Sequence, residues 1–275
     1  MRNMFGKKNH REKALHEFSL GEQEMDKEPP QLMTAYNYFL KATQHDPNEV
    51  MYWYRLGKCQ TLLAHNLSQR IRIGGATGIL QKSIRHLINS DMVNLDPIHL
   101  RNGAIQSFRN ADAISEQTYS VTQLVHPRSY KIKTFLGLLL LEFAKDATEL
   151  NELNNFVESK NYLEKALEIA PRENSKYTIR DDSILFMIYD GLVQIGIHQM
   201  YQLAYNGFVK WNEMGQMDGR RIMFSGNVEK IKNLFADTCD FWRELLVFCP
   251  DNEFEHYSKG LSSFEKDWIS KFEEK

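Results

Sequence analysis

The run Gly74-Gly75-Ala76-Thr77-Gly78, just ahead of an expected helix, is the one stretch of this sequence that looks like a phosphate loop. Such a loop aims successive backbone N–H groups at an anion, and it needs two glycines five apart followed by Lys-Ser/Thr, or a preceding strand in a βαβ unit. Neither condition holds, because Lys82-Ser83 comes four residues too late and sits on the helix itself. An interhelical loop is the expected role. Nine histidines are scattered with no His-x-x-x-His or His-x-x-Glu-His pair to set two metal ligands on one helical face. No Gly-x-Ser-x-Gly elbow or Cys/His signature is present. Cys59, Cys239 and Cys249 have no metal-like spacing and read as reduced, helix-borne cysteines in a reducing compartment. Asp181-Asp182 lies at an expected helix start, where carboxylates offset the helix dipole. No residue is nominated as catalytic, cofactor-binding or metal-binding, and the expectation is a non-enzyme without a cofactor.

Charge is the remaining chemical signal. The net charge is only −2, but residues 70–133 hold nine Lys/Arg against four Asp/Glu, whereas residues 134–275 hold sixteen against twenty-four. Arg70, Arg72, Lys82, Arg85, Arg101 and Arg109 fall in the basic middle and could meet an acidic protein surface or nucleic acid. No groove-entering helix-turn-helix or stacking-aromatic motif accompanies them, so the nucleic-acid alternative is the weaker of the two.

The elements that must position these groups are helical. Apolar content of 42% with 25% charged residues suits a folded globular chain, and few prolines, few glycines and little alternating Val/Ile/Thr pattern argue for helices. The longest apolar run, Phe135 to Leu141, is too short to span a bilayer, and the basic N-terminus has no signal-peptide core behind it, so a cytoplasmic location is expected. Residues 1–13 read as a basic flexible arm. Helices follow over Lys13 to Glu28, Gln31 to His45, a third opening near Asn48, Ile79 to Met92, Pro97 to Val125, Ser129 to Ala144, Phe156 to Ala170, Asp182 to Trp211, Asn227 to Phe248 and Glu253 to Phe272. Segments 66–78 and 213–227 read as polar, glycine-containing loops.

Ala35, Phe39 and Ala42 share one helical face before Pro47, and Trp53-x-x-Leu56-Gly57 opens the next helix. This small-aromatic-small close followed by W-x-x-L-G resembles the junction between two tetratricopeptide repeats, units of about 34 residues built as helical hairpins. Leu20-Gly21 stands where that family uses glycine for close helix packing, and Asn161 to Pro171 repeats the closing pattern. Closing turns at Pro47, Pro97, Pro171 and Pro250 lie 50, 74 and 79 residues apart, so the repeats are interrupted. Gln60 stands where the family usually has Tyr.

The resemblance implies an all-α, irregular tetratricopeptide-like α-solenoid of antiparallel helix pairs over residues 14–275, with its clearest signatures at 14–63, 128–171 and 228–272. It further implies a scaffold or adaptor that binds partner proteins. In such repeats the first helix of each pair lines a groove for extended peptides. Tyr54, Lys58 and Leu62, one turn apart on the best-matched helix, are the corresponding face, with packing the competing role for Tyr54 and Leu62. Lys58 alone does not reproduce the family's carboxylate-binding pattern. The alternative is a helical regulator responsive to a ligand, peptide or nucleic acid.

Overall fold

The computed structural model describes residues 2–76, 96–122, 126–146, 152–171, 181–213 and 228–273. Among them every regular element is an α-helix: α1 (Arg2–Met25), α2 (Leu32–His45), α3 (Val50–Ala76), α4 (Pro97–Thr122), α5 (Ser129–Asp146), α6 (Glu152–Ile169), α7 (Asp182–Glu213), α8 (Val228–Phe248) and α9 (Asp251–Glu273). The helix expected over 79–92 and the segment 214–227 lie outside the described residues. The chain divides into two compact units, Met1–Leu139 and Leu140–Lys275, where the sequence reading has one domain. Each unit closes an apolar cluster of its own.

Unit 1 is built from α1 to the first part of α5. His10 meets His45, Ala14 clusters with Ala42, and Gly21 meets Phe39, which is the descending register of an antiparallel pair. A Cβ at Gly21 would lie 2.6 Å from Phe39 Cε1, so the absent side chain is what lets a fully buried ring seat on α1. The expected close packing is thus present, with an aromatic ring in place of a neighbouring backbone. Burying a Phe side chain contributes about 1.5–3 kcal/mol, which exceeds the ~1 kcal/mol that glycine costs a helix.

At the turn, Asp46 Oδ1 accepts from Asn48 N (3.3 Å), and Trp53 Nε1 donates to Pro47 O at 2.8 Å. The tryptophan therefore ties the start of α3 to the proline turn before it. On α3, Leu56, Cys59 and Leu63 are buried against Phe39 and Leu100. Gly57 receives Phe108 of α4, whose ring atoms would stand 3.0–3.1 Å from a Cβ there.

Two expectations for unit 1 are corrected. Residues 2–13 are part of α1, not an arm, since no proline interrupts the chain before Pro29. Residues 66–76 continue α3 and do not form a loop, because Leu63 and Leu67 extend the stripe begun by Leu56 and Cys59 and no proline stops the helix.

In unit 2, α7 and α8 pack with Gly196 under Thr238 and Tyr189 stacked on Phe248 at 5.6 Å, again a descending register. Helix α9 returns along α8, with Trp242 over Gly260 and Phe235 against Phe264 and Phe272. Trp268 is almost fully buried at the centre of this cluster. Pro97 and Pro250 each open a helix: Asp96 Oδ1 accepts from Ile98 N, and Pro250 O accepts from Glu253 N and Phe254 N.

Candidate functional site

The expected face on α3 separates into three different environments. Tyr54 is a core residue at 2% exposure, its ring 6.1 Å from Phe108 and 6.2 Å from Phe135. Burial pushes its hydroxyl pKa up, against the neighbouring Arg128, Lys131 and Arg55. Tyr54 is therefore the floor of the face and not a surface contact. Lys58, one turn on, is half-buried, and Leu62 is exposed.

Lys58 Nζ lies 5.2 Å from the Phe135 ring centroid and 5.8 Å from that of Tyr54, within the range of a cation over an aromatic face. Arg128 places its guanidinium 5.9 Å from the Tyr54 centroid from the other side. Burial lowers the Lys58 pKa, and Arg55, Lys131 and Arg128 lower it further, with Glu22 opposing. Two cations thus stand over this aromatic floor, and Arg55 and Lys131 lie near enough to act on both Tyr54 and Lys58 electrostatically. Arg55 is held to α1 by an ion pair with Glu22 at 2.6 Å. Arg55 Nε and Glu22 Oε1 are buried with no hydrogen-bond partner, so the pair has unused donor and acceptor capacity.

Sequence reasoning singled out Lys58 and passed over Arg55, Arg128 and Lys131 as binding residues. A signal was available: 55, 58 and 62 on α3 and 128, 131 and 135 about the start of α5 are both i, i+3, i+7 stripes. What the spacing could not supply was that the two stripes face each other. Of the other nominated cations, Arg70 and Arg72 lie on the last turns of α3, and their side chains are outside the description. Arg85 lies outside the described residues. Arg101 and Arg109 sit on α4 and make interactions of their own. Of the basic middle, Arg128 and Lys131 are the residues described beside Lys58.

Two buried polar arrangements tie these helices together. Gln60, the departure from the repeat pattern, is buried and its Oε1 accepts from Ser107 Oγ at 2.8 Å. A Cβ at Gly103 would lie 2.6 Å from Gln60 Nε2, so α4 carries glycine where the amide needs room. One turn beyond Arg128, Lys133 of α5 is buried and reaches Asp112 (2.6 Å) and Glu116 (2.7 Å) of α4. Burial works against the Lys133 charge, but its hydrogen bonds to the two carboxylates outweigh burial and raise its pKa. These contacts lock α3, α4 and α5 in one register and so set the spacing of the cations in front.

Cys59 is buried, donates to Leu32 O at 3.2 Å, and has its thiol pKa pushed up to about 12 by burial, so it is no thiolate nucleophile. Among the described residues no group of three or more His, Cys, Asp or Glu could hold a metal, and no helix is long and apolar enough to cross a membrane. Compared with known proteins, the chain matches no family model and no curated protein.

Proposed function

We propose that this chain is a non-catalytic adaptor that holds an acidic, extended segment of a partner protein on the face shared by α1, α3 and α5. One observation carries the reading: Lys58 and Arg128 approach the rings of the Tyr54–Phe135 floor, with Arg55 and Lys131 near enough to lower the Lys58 pKa and Glu22 as the opposing carboxylate. Bringing like charges together on a half-buried surface costs free energy, and an anionic partner is what offsets it. In this reading α1/α2, α3/α4 and α5 are a tetratricopeptide-like stack of antiparallel pairs, and the first helix of each pair contributes to the binding face. The W-x-x-L-G opening and glycine-on-aromatic packing support it.

The test is affinity capture from native extract with the wild-type chain and with Lys58→Glu/Arg128→Glu. Helical circular dichroism of the variant establishes that it is folded before capture is compared. The expected result is a stable partner with an acidic segment that the variant fails to retain. A lone monomer with no stable partner, or equal capture by both forms, overturns the reading. Salt-dependent binding of generic DNA or RNA that the variant loses would instead favour a nucleic-acid-responsive regulator.

A further inference from the structure

Among the described residues the lysines stand in sharply different surroundings. Lys133 is buried and clamped by Asp112 and Glu116, which hold its ammonium charged. Lys27 and Lys259 are exposed on the surface and paired with Glu24 and Glu255. Lys58 is half-buried on α3 with its Nζ over the Phe135 and Tyr54 rings. The carboxylate that favours its charge, Glu22, is engaged by Arg55 at 2.6 Å. Burial, and then Arg55, Lys131 and Arg128, favour the neutral amine instead. A neutral amine carries the lone pair that a nucleophile needs, and desolvation beside other cations is one way to expose it.

The same face suits a small anionic electrophile. Lys58 Nζ lies 5.8 Å from the Tyr54 centroid and the Arg128 guanidinium 5.9 Å from it, so amine and guanidinium share one ring. A guanidinium holds phosphate oxygens through a planar fork of donors. Arg55 adds an Nε that is buried with no hydrogen-bond partner.

We propose that Lys58 is an acylation site, modified by small acyl phosphates that Arg128 and the nearby Arg55 and Lys131 gather over the Tyr54–Phe135 floor. In the step, the Nζ lone pair forms a bond to the acyl carbon and the C–O bond to phosphate breaks. Inorganic phosphate leaves with that electron pair, and the Nζ proton passes to solvent. The guanidinium stabilises the charge that develops on the leaving phosphate. The product is a neutral amide with its stem on the two rings, and the repulsion among the cations falls by one charge. Acylation would also weaken capture of the acidic partner; that consequence rests on the adaptor reading, and the acylation itself does not.

The test incubates the full chain with acetyl phosphate and follows each lysine by peptide mass spectrometry, with Lys27 and Lys259 as internal references. Lys58 is expected to be acetylated about tenfold faster than either reference, and to reach half of its maximal rate at a lower pH. Added salt should reduce that advantage, and so should replacing acetyl phosphate with the uncharged donor N-hydroxysuccinimidyl acetate. Arg128→Gln is expected to lower the Lys58 rate about threefold and to leave Lys259 unchanged. Should that variant lose its helical circular dichroism, the salt series on the wild-type chain decides in its place. A Lys58 rate no greater than those of Lys27 and Lys259 would overturn the proposal. So would an equal advantage with both donors, or an undiminished Lys58 rate in folded Arg128→Gln. Lys58 acetylated as expected in a chain that captures no partner would sink the adaptor reading and leave the acylation site standing.

Discussion

Lys58 of α3 and Lys133 of α5 are perturbed in opposite directions, the first downward and the second upward. Lys58 is half-buried over the Phe135 ring with three cations nearby, whereas Lys133 is buried between two carboxylates. The first is under electrostatic tension, the second a structural tie.

For Lys58 the folded pKa is below the unfolded one, so between the two values the unfolded chain binds more protons and stability rises with pH. At neutral pH the charged lysine is therefore a burden on the fold. Lys58→Met is expected to leave the melting temperature unchanged or to raise it, while weakening capture of the acidic partner. A fall in melting temperature would show that Lys58 serves packing and not recognition.

For Lys133 the sign reverses. Its folded pKa is raised, so the stabilisation is fully present below the ordinary lysine value of 10.5 and is lost as pH rises through the higher folded value. Lys133→Met leaves Asp112 buried without its cation and is expected to cost about 3 kcal/mol, read from urea unfolding at pH 7. That difference from wild type should shrink once the pH exceeds the folded pKa.

Gln60 and Ser107 form a closed pair, both buried. Gln60→Leu strands the Ser107 hydroxyl and is expected to cost about 1–3 kcal/mol, whereas Gln60→Leu/Ser107→Ala should recover most of that loss. A double-mutant cycle by chemical denaturation measures the coupling. Strict additivity would mean that the bond contributes nothing to stability.

At Gly21 an added methyl would press on a ring that has no room to move, because Phe39 is fully buried. The overlap, about 1–3 kcal/mol, outweighs the ~1 kcal/mol gain in helix propensity, so Gly21→Ala is expected to be destabilising. Gly57→Ala, with contacts at 3.0–3.1 Å, should cost less. Combining Gly21→Ala with Phe39→Leu should give a smaller loss than the sum of the two, as thermal melts of the four proteins would reveal.

Much of the fold was legible along the chain. Helices α2, α4, α5, α8 and α9 follow from apolar periodicity between prolines, and the repeat resemblance marks Gly21 as a close-packing position. These features depend on residues a few positions apart, which is the range over which a helix is specified. The ends of α1 and α3 differ from the expected bounds because glycine weakens a helix by about 1 kcal/mol, and polar residues by less, without stopping it.

The pairing of distant residues could not be read in this way. Gln60 stood in the sequence only as a departure from a repeat, and it needed Ser107 and Gly103 beside it to become a buried hydrogen bond. Lys58 was visible as one cation on a helical face. Its meeting with Arg128, Lys131 and Phe135, some seventy residues on, was decided by the packing of α3, α4 and α5. Helical periodicity determines which side a residue occupies, but charge crowding and burial depend on what lies opposite, and only tertiary structure supplies that.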